Sequence, residues 1–125
     1  MNTLLHRLSE WARQSPDSIA QRMNVNSTWI DITAREFMDN VYYLALFFRS
    51  RGLGPEDAVA ILSFNCPSWT QTELAMILLG GRSAGLYTNS IHTDMHYVIR
   101  HADARFLAVQ NKSYYLRLTG NGFEE

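Results

Sequence analysis

The sequence predicts an α/β fold: a parallel βαβαβ sheet layer with flanking helices, preceded by an N-terminal helix and a short β-hairpin. Two observations carry this. Between residues 58 and 110, short apolar runs suited to buried strands alternate with segments of helical periodicity. The runs also lie too far apart for tight hairpins, so each connection must be a crossover, and crossovers join parallel strands. Composition supplies a third: 46% hydrophobic and 18% charged residues make a globular chain and not a disordered one.

Residues 3–14 place Leu4, Leu5, Leu8, Trp11 and Ala12 on one helical stripe, and Ser15-Pro16-Asp17 ends it, because proline restricts its predecessor. Residues 19–24 and 28–32 are extended, and the turn-like Asn24-Val25-Asn26-Ser27 between them predicts a hairpin. The next helix begins at Thr33. Thr33 and Glu36 have capping-box spacing, Phe37, Val41, Leu44, Ala45 and Phe48 line one face, and Gly52 is a left-handed stop after Arg49 and Arg51.

Gly54-Pro55-Glu56-Asp57 is a turn into a strand over 58–63. Asn65-Cys66-Pro67-Ser68 starts a helix, with Asn65 or Ser68 expected as cap, and Gly80-Gly81 ends it. A strand over 83–87 follows. Polar residues 90–93 are expected to cap a helix over 93–102, which carries Met95, Val98, Ile99 and Ala102 on one side. The last strand is 106–109.

The bulk properties exclude some functions. A net charge of −1 gives no basic stripe for a phosphate backbone, so nucleic acid is not an expected partner. No segment approaches the roughly 20 apolar residues that span a bilayer, and residues 1–7 carry no secretory apolar core. The single cysteine, Cys66, forms no internal disulfide and no CxxC metal pair, which fits a reducing, cytoplasmic setting.

Several stretches together resemble a family. Trp29-Ile-Asp-Ile-Thr33-Ala-Arg-Glu36-Phe37 resembles the W-x-x-[IL]-T-[YW]-x-E-[FL] opening of AMP-forming acyl-CoA synthetases. Gly52-Leu-Gly54-Pro-Glu-Asp57-Ala-Val59-Ala60-Ile61 is similar to that family's G-[VL]-x-x-G-D-x-V-A-I, and Asn65-Cys-Pro67-Ser-Trp69 to N-x-P-E-W. Gly80 to Ser90 resembles G-x-x-x-x-G-[IL]-Y-x-T-x-S, the form common in long-chain fatty-acid enzymes, and His101 to Phe106 resembles the later D-[AS]-[EK]-[AVF] step. Order and spacing make the match specific where single pieces are not.

The resemblance covers residues 1–112, the N-terminal part of the AMP-binding domain, and residues 113–125 read as a divergent tail. It implies ATP, Mg and CoA as the full-length family's cofactors, a fatty acid as its substrate, and ATP-dependent acyl-adenylate formation followed by thioesterification. None of those cofactors is expected to be held by this chain alone. The family's Ser/Thr/Gly-rich loop ending in Pro-Lys, its aromatic-Gly-x-Thr-Glu motif, its hinge aspartate and its catalytic lysine have no counterpart in residues 1–125. The expectation is therefore a catalytically incomplete N-terminal fragment, partnered by the rest of such an enzyme or by itself. Two departures fall inside the match: Ser68 replaces the acidic residue after Pro67, and Glu56 stands where glycine is usual before Asp57.

Gly80 to Gly85 lies between a helix end and a strand, the reverse of a phosphate cradle, so it reads as structural. His92 and His96 have helix-face metal spacing, but no third ligand or general-base glutamate accompanies them, so no metal site is assigned. Cys66 has no nameable base and reads as a packed thiol. The Phe37–Phe48 stripe reads as core. Tyr87 and Thr88, with Asn89, follow the carboxyl end of a parallel strand, where α/β sheets bind ligands. The resemblance places this turn near the CoA pantetheine channel, so Tyr87 and Thr88 are the cofactor-binding candidates. The alternatives are a non-catalytic α/β interaction module and a small stand-alone enzyme of flavodoxin-like shape; the latter lacks any cofactor fingerprint.

Overall fold

A computed structural model describes residues 3–119. Helix α1 (Leu4–Gln14) is followed by strands β1 (Ile19–Val25) and β2 (Thr28–Thr33), and then by helix α2 (Ala34–Ser50). The sheet layer comprises β3 (Ala58–Leu62), α3 (Pro67–Leu78), β4 (Arg82–Leu86), α4 (His92–His101), β5 (Ala104–Val109) and α5 (Lys112–Thr119).

The hairpin forms because Asn26 and Ser27, between the paired Val25 and Thr28, both take positive φ (50° and 64°). That mirror-image turn matches the strand twist, and asparagine tolerates it. The α2 capping box is complete: Thr33 Oγ1 accepts from the Glu36 amide at 3.2 Å, and Glu36 Oε2 accepts from the Thr33 amide at 2.8 Å. At the other end Gly52 (φ 87°) donates to Arg49 O and Leu53 donates to Phe48 O. This six-to-one closure satisfies the last carbonyls and folds Leu53 back into the core beside Phe48.

Two caps differ from expectation. Cys66, not Asn65 or Ser68, occupies the N-cap of α3, and no side chain caps it. Pro67 at the first helical position supplies the fixed φ that starts the helix without one. Ile91 holds the N-cap of α4, again with no side-chain bond, so residues 90–93 do not cap it through a polar side chain. Asp94 in its first turn offsets the exposed amides electrostatically.

The parallel sheet has the order β4-β3-β5. β3 pairs in parallel with both neighbours. Right-handed crossovers then require α3 and α4 on opposite faces, because the second connection runs back across β3. The cores show that arrangement. Val59 and Ile61 pack with Phe37, Val41, Phe48 and Leu74 from α2 and α3, while Ala60 and Leu62 pack with Met95, Ile99 and Leu118 from α4 and α5. β3 is buried along its whole length, as a central strand covered on both faces must be. Phe106 and Leu107 on the edge strand β5 are only half-buried. The hairpin and α1 lie over the α2 side, held in part by Gln71 Nε2 donating to Gln21 Oε1 and by the Ser9–Tyr42 hydroxyl pair.

Residues 113–119 of the stretch read as a divergent tail fold as most of α5, and Leu118 is fully buried against α4 and the sheet. Residues 120–125 lie outside the described residues.

Candidate functional site

Register fixes where a ligand site can form. Leu62 is opposite Leu86 on one side and Val109 on the other, so the strands end level. The segments that follow them, Ser63–Cys66, Tyr87–Ile91 and Gln110–Asn111, converge on one edge of the sheet. In open α/β sheets that carboxyl edge is where ligands bind.

Two clefts open there. One, of about 440 Å³, is lined by Ser63, Phe64, Asn65 and Trp69 on one wall and by Gly85, Leu86, Tyr87 and Thr88 on the other. The second, of about 230 Å³, lies between β3, β5 and the start of α3, and includes Ser63, Cys66, Thr72 and Gln110. The two candidates read from sequence, Tyr87 and Thr88, thus form one wall of the larger cleft. Tyr87 is 80% exposed, so its ring is available to a ligand. Trp69 forms the floor by lying over Gly85, where an added Cβ would come within 3.1 Å of the ring.

Residues after the sheet hold the cleft open. Gln110 Oε1 accepts from the Phe64 amide at 3.0 Å and from Ser63 Oγ at 3.4 Å, tying the β3–α3 loop to the end of β5. The Tyr114 ring meets Phe64 edge-on, with centroids 5.8 Å apart. Arg117 Nη1 donates to Thr88 O at 2.8 Å and Nη2 to Ser90 O at 3.3 Å, and the guanidinium lies over the Tyr114 ring. Sequence reasoning missed Gln110, Tyr114 and Arg117. The convergence rule that selected Tyr87 also points to whatever follows β5, but only the strand order makes that visible.

The lining is uncharged and mixes polar with apolar side chains. Neither cleft has a lysine or arginine among its lining residues. A triphosphate needs cationic or amide-rich contacts, and no group of three His, Cys, Asp or Glu among the described residues can hold a metal. The residues lining the two clefts therefore offer a triphosphate no side-chain cation. Aromatic and aliphatic side chains share the lining with the Ser63 and Thr88 hydroxyls and the Asn65 amide.

Of the other candidates, Cys66 lines the smaller cleft, while the histidines and the Gly80–Gly81 pair lie elsewhere. His92 and His96 stack edge-on at 5.9 Å, and His96 Nε2 lies 3.1 Å from Leu118 O, at the α4–α5 contact. Cys66 Sγ is 3.5 Å from Ser63 Oγ. Gly80 and Gly81 close α3 through bonds to Ile77 O and Met76 O, and so belong to a helix end.

Level strand ends and opposed crossovers, with an uncharged cleft at the carboxyl edge, define one layer of an α/β body. The AMP-binding enzyme family model matches residues 8–121, and the chain belongs to that family. It is 30% identical over 95 residues to the long-chain-fatty-acid–CoA ligase ACSBG2 of Gallus gallus, an alignment covering 76% of this chain and 12% of that protein. It is 24% identical over 105 residues to the long-chain-fatty-acid–CoA ligase FadD15 of Mycobacterium tuberculosis, covering 84% of this chain and 18% of that one. The chain thus spans less than a fifth of these curated relatives. In fold it is similar to the N-terminal subdomain of Klebsiella oxytoca NpsA in complex with 3-hydroxyanthranilyl-AMSN. The TM-score is 0.79 at 23% identity, over 91% of this chain and 28% of that one. It also resembles the anthranilate CoA ligase AuaEII in complex with anthranoyl-AMP, with a TM-score of 0.79 at 15% identity over 93% of this chain and 22% of that one.

Proposed function

We propose that this chain is the N-terminal segment of an AMP-forming long-chain fatty acid–CoA ligase and that residues 1–125 do not complete a turnover site by themselves. The observation that carries the reading is the family match over residues 8–121, together with relatives named as long-chain-fatty-acid–CoA ligases.

The chemistry of the parent reaction explains the division of labour. A carboxylate is a poor acyl donor until one of its oxygens becomes part of a good leaving group. ATP supplies this by accepting the carboxylate at its α-phosphorus and releasing pyrophosphate, and the CoA thiol then displaces AMP. The contribution assigned to this chain is the sheet layer and, through Tyr87 and Thr88, a wall for the pantetheine arm of CoA. ATP and magnesium are assigned to residues outside this stretch. The remainder of the enzyme is the proposed partner, and a cytosolic setting with Cys66 reduced belongs to the same reading.

A graft tests this. Residues 8–121 would replace the matching segment of a long-chain-fatty-acid–CoA ligase relative. A folded hybrid that converts a long-chain fatty acid to its CoA thioester supports the assignment. A folded hybrid that still forms an acyl-adenylate with no fatty acid it is offered speaks for an unrelated interaction module.

A further inference from the structure

We infer that Arg117 is a positioning residue for the thiol-substrate cleft: its guanidinium holds the Tyr87–Ser90 turn in place, so that α5 sets the geometry of the cleft wall. The inference rests on the reading of Tyr87 and Thr88 as a wall for the pantetheine arm.

Within the Tyr87–Ser90 turn, the Ser90 N–H donates to Tyr87 O at 3.1 Å. The turn follows an edge strand, so no neighbouring strand lies beyond it. Tyr87 is mostly in solvent. Against this, the Arg117 fork reaches two carbonyls of the turn at once, Thr88 O and Ser90 O. A planar guanidinium spanning two acceptors fixes orientation as well as distance, which a lysine ammonium does not. The fork is itself placed: Leu118 next to it is fully buried, and the Tyr114 ring lies beneath the guanidinium. Tyr114 also touches Phe64 on the opposite wall. One helix therefore contacts both walls of a cleft that it does not line. A ligand needs those walls at a fixed separation, and binding is weaker by whatever free energy is needed to order them.

The test uses the full chain and two readouts. Backbone amide exchange is followed residue by residue in the wild type, in Arg117→Ala and Arg117→Lys, and in Arg22→Ala, whose ion pair with Asp31 lies on the distant hairpin. CoA is titrated into each. Loss of a solvent-facing, charge-assisted fork is expected to speed exchange at Ser90 about fivefold, to weaken CoA binding by a similar factor, and to leave the thermal midpoint nearly unchanged. R117K falls between, and R22A matches the wild type. Exchange at Ser90 that is the same in R117A and the wild type overturns the inference, and so does equal CoA affinity in both. Should R117A lower the thermal midpoint, R117K carries the same comparison. A wild type that binds no CoA sinks the cleft assignment alone, and Ser90 exchange still decides whether Arg117 holds the turn.

Discussion

Glu56 takes a backbone conformation that its side chain disfavours. It is the third residue of the Gly54–Asp57 turn, closed by Asp57 N–H to Gly54 O at 3.2 Å, and its φ is +70°. Only glycine enters that region without a Cβ penalty, of roughly 1–2 kcal/mol. The sequence shows glycine's usual place taken by glutamate, but not that the place requires positive φ. Glu56→Gly should therefore raise stability by about 0.5–1 kcal/mol, the penalty relieved less the extra unfolded-state entropy of glycine. A higher denaturant midpoint with an unchanged m-value is the expected result. Its neighbour Asp57 ties three segments together. Its carboxylate accepts from the Gly54 amide at 2.8 Å and from Arg105 at 3.0 Å, and Arg105 also donates to Gly52 O. The Gly54 amide first, and then Arg105, hold its pKa below the ordinary 3.8. The unfolded chain binds the proton more readily, so this contribution is intact above the ordinary value and is lost as pH falls through the lowered one. Denaturant midpoints across an acid series should fall less steeply for Asp57→Asn than for the wild type, and should start lower near neutrality.

The elements divide by how local their signals are. α2 is legible from end to end because its capping box, apolar stripe and glycine stop all lie within the segment and agree. The caps of α3 and α4 are misread because serine, threonine and asparagine nearby outrank Cys66 and Ile91 by propensity, while the chain path selects the latter. α5 escapes for a different reason. Lys112 to Thr119 shows no single clear apolar stripe, and its place depends on Leu118 reaching a pocket made by β3, α4 and β4. No short window contains that information. Leu118→Ala should cost about 2–4 kcal/mol. It should also speed amide exchange throughout α5, unlike the local effect expected of R117A. The same limit applies to the cleft: Tyr87 and Thr88 are found by their place after a strand, whereas Gln110 and Arg117 act across the strand order β4-β3-β5.

The whole molecule presents a sheet with two free edges and a helix with two apolar faces. Among the described residues, β4 and β5 each pair only with β3. On α2, the side opposite the core exposes Tyr43, Leu46 and Phe47. Exposed edges and contiguous apolar surface both drive association. Sedimentation velocity over a concentration series should show species larger than the monomer that grow with loading. An ideal monomer at every concentration would speak for an autonomous module. Among the described residues no helix is long and apolar enough to cross a membrane. The proposal that these residues supply a layer and a cleft wall, and not the groups that handle ATP, is the central claim. Pyrophosphate exchange into ATP, measured with the chain alone and a series of long-chain fatty acids, tests it most directly. The account predicts no exchange above background at any fatty-acid concentration. Exchange that saturates with fatty acid would contradict it, because it would require an ATP site within these 125 residues.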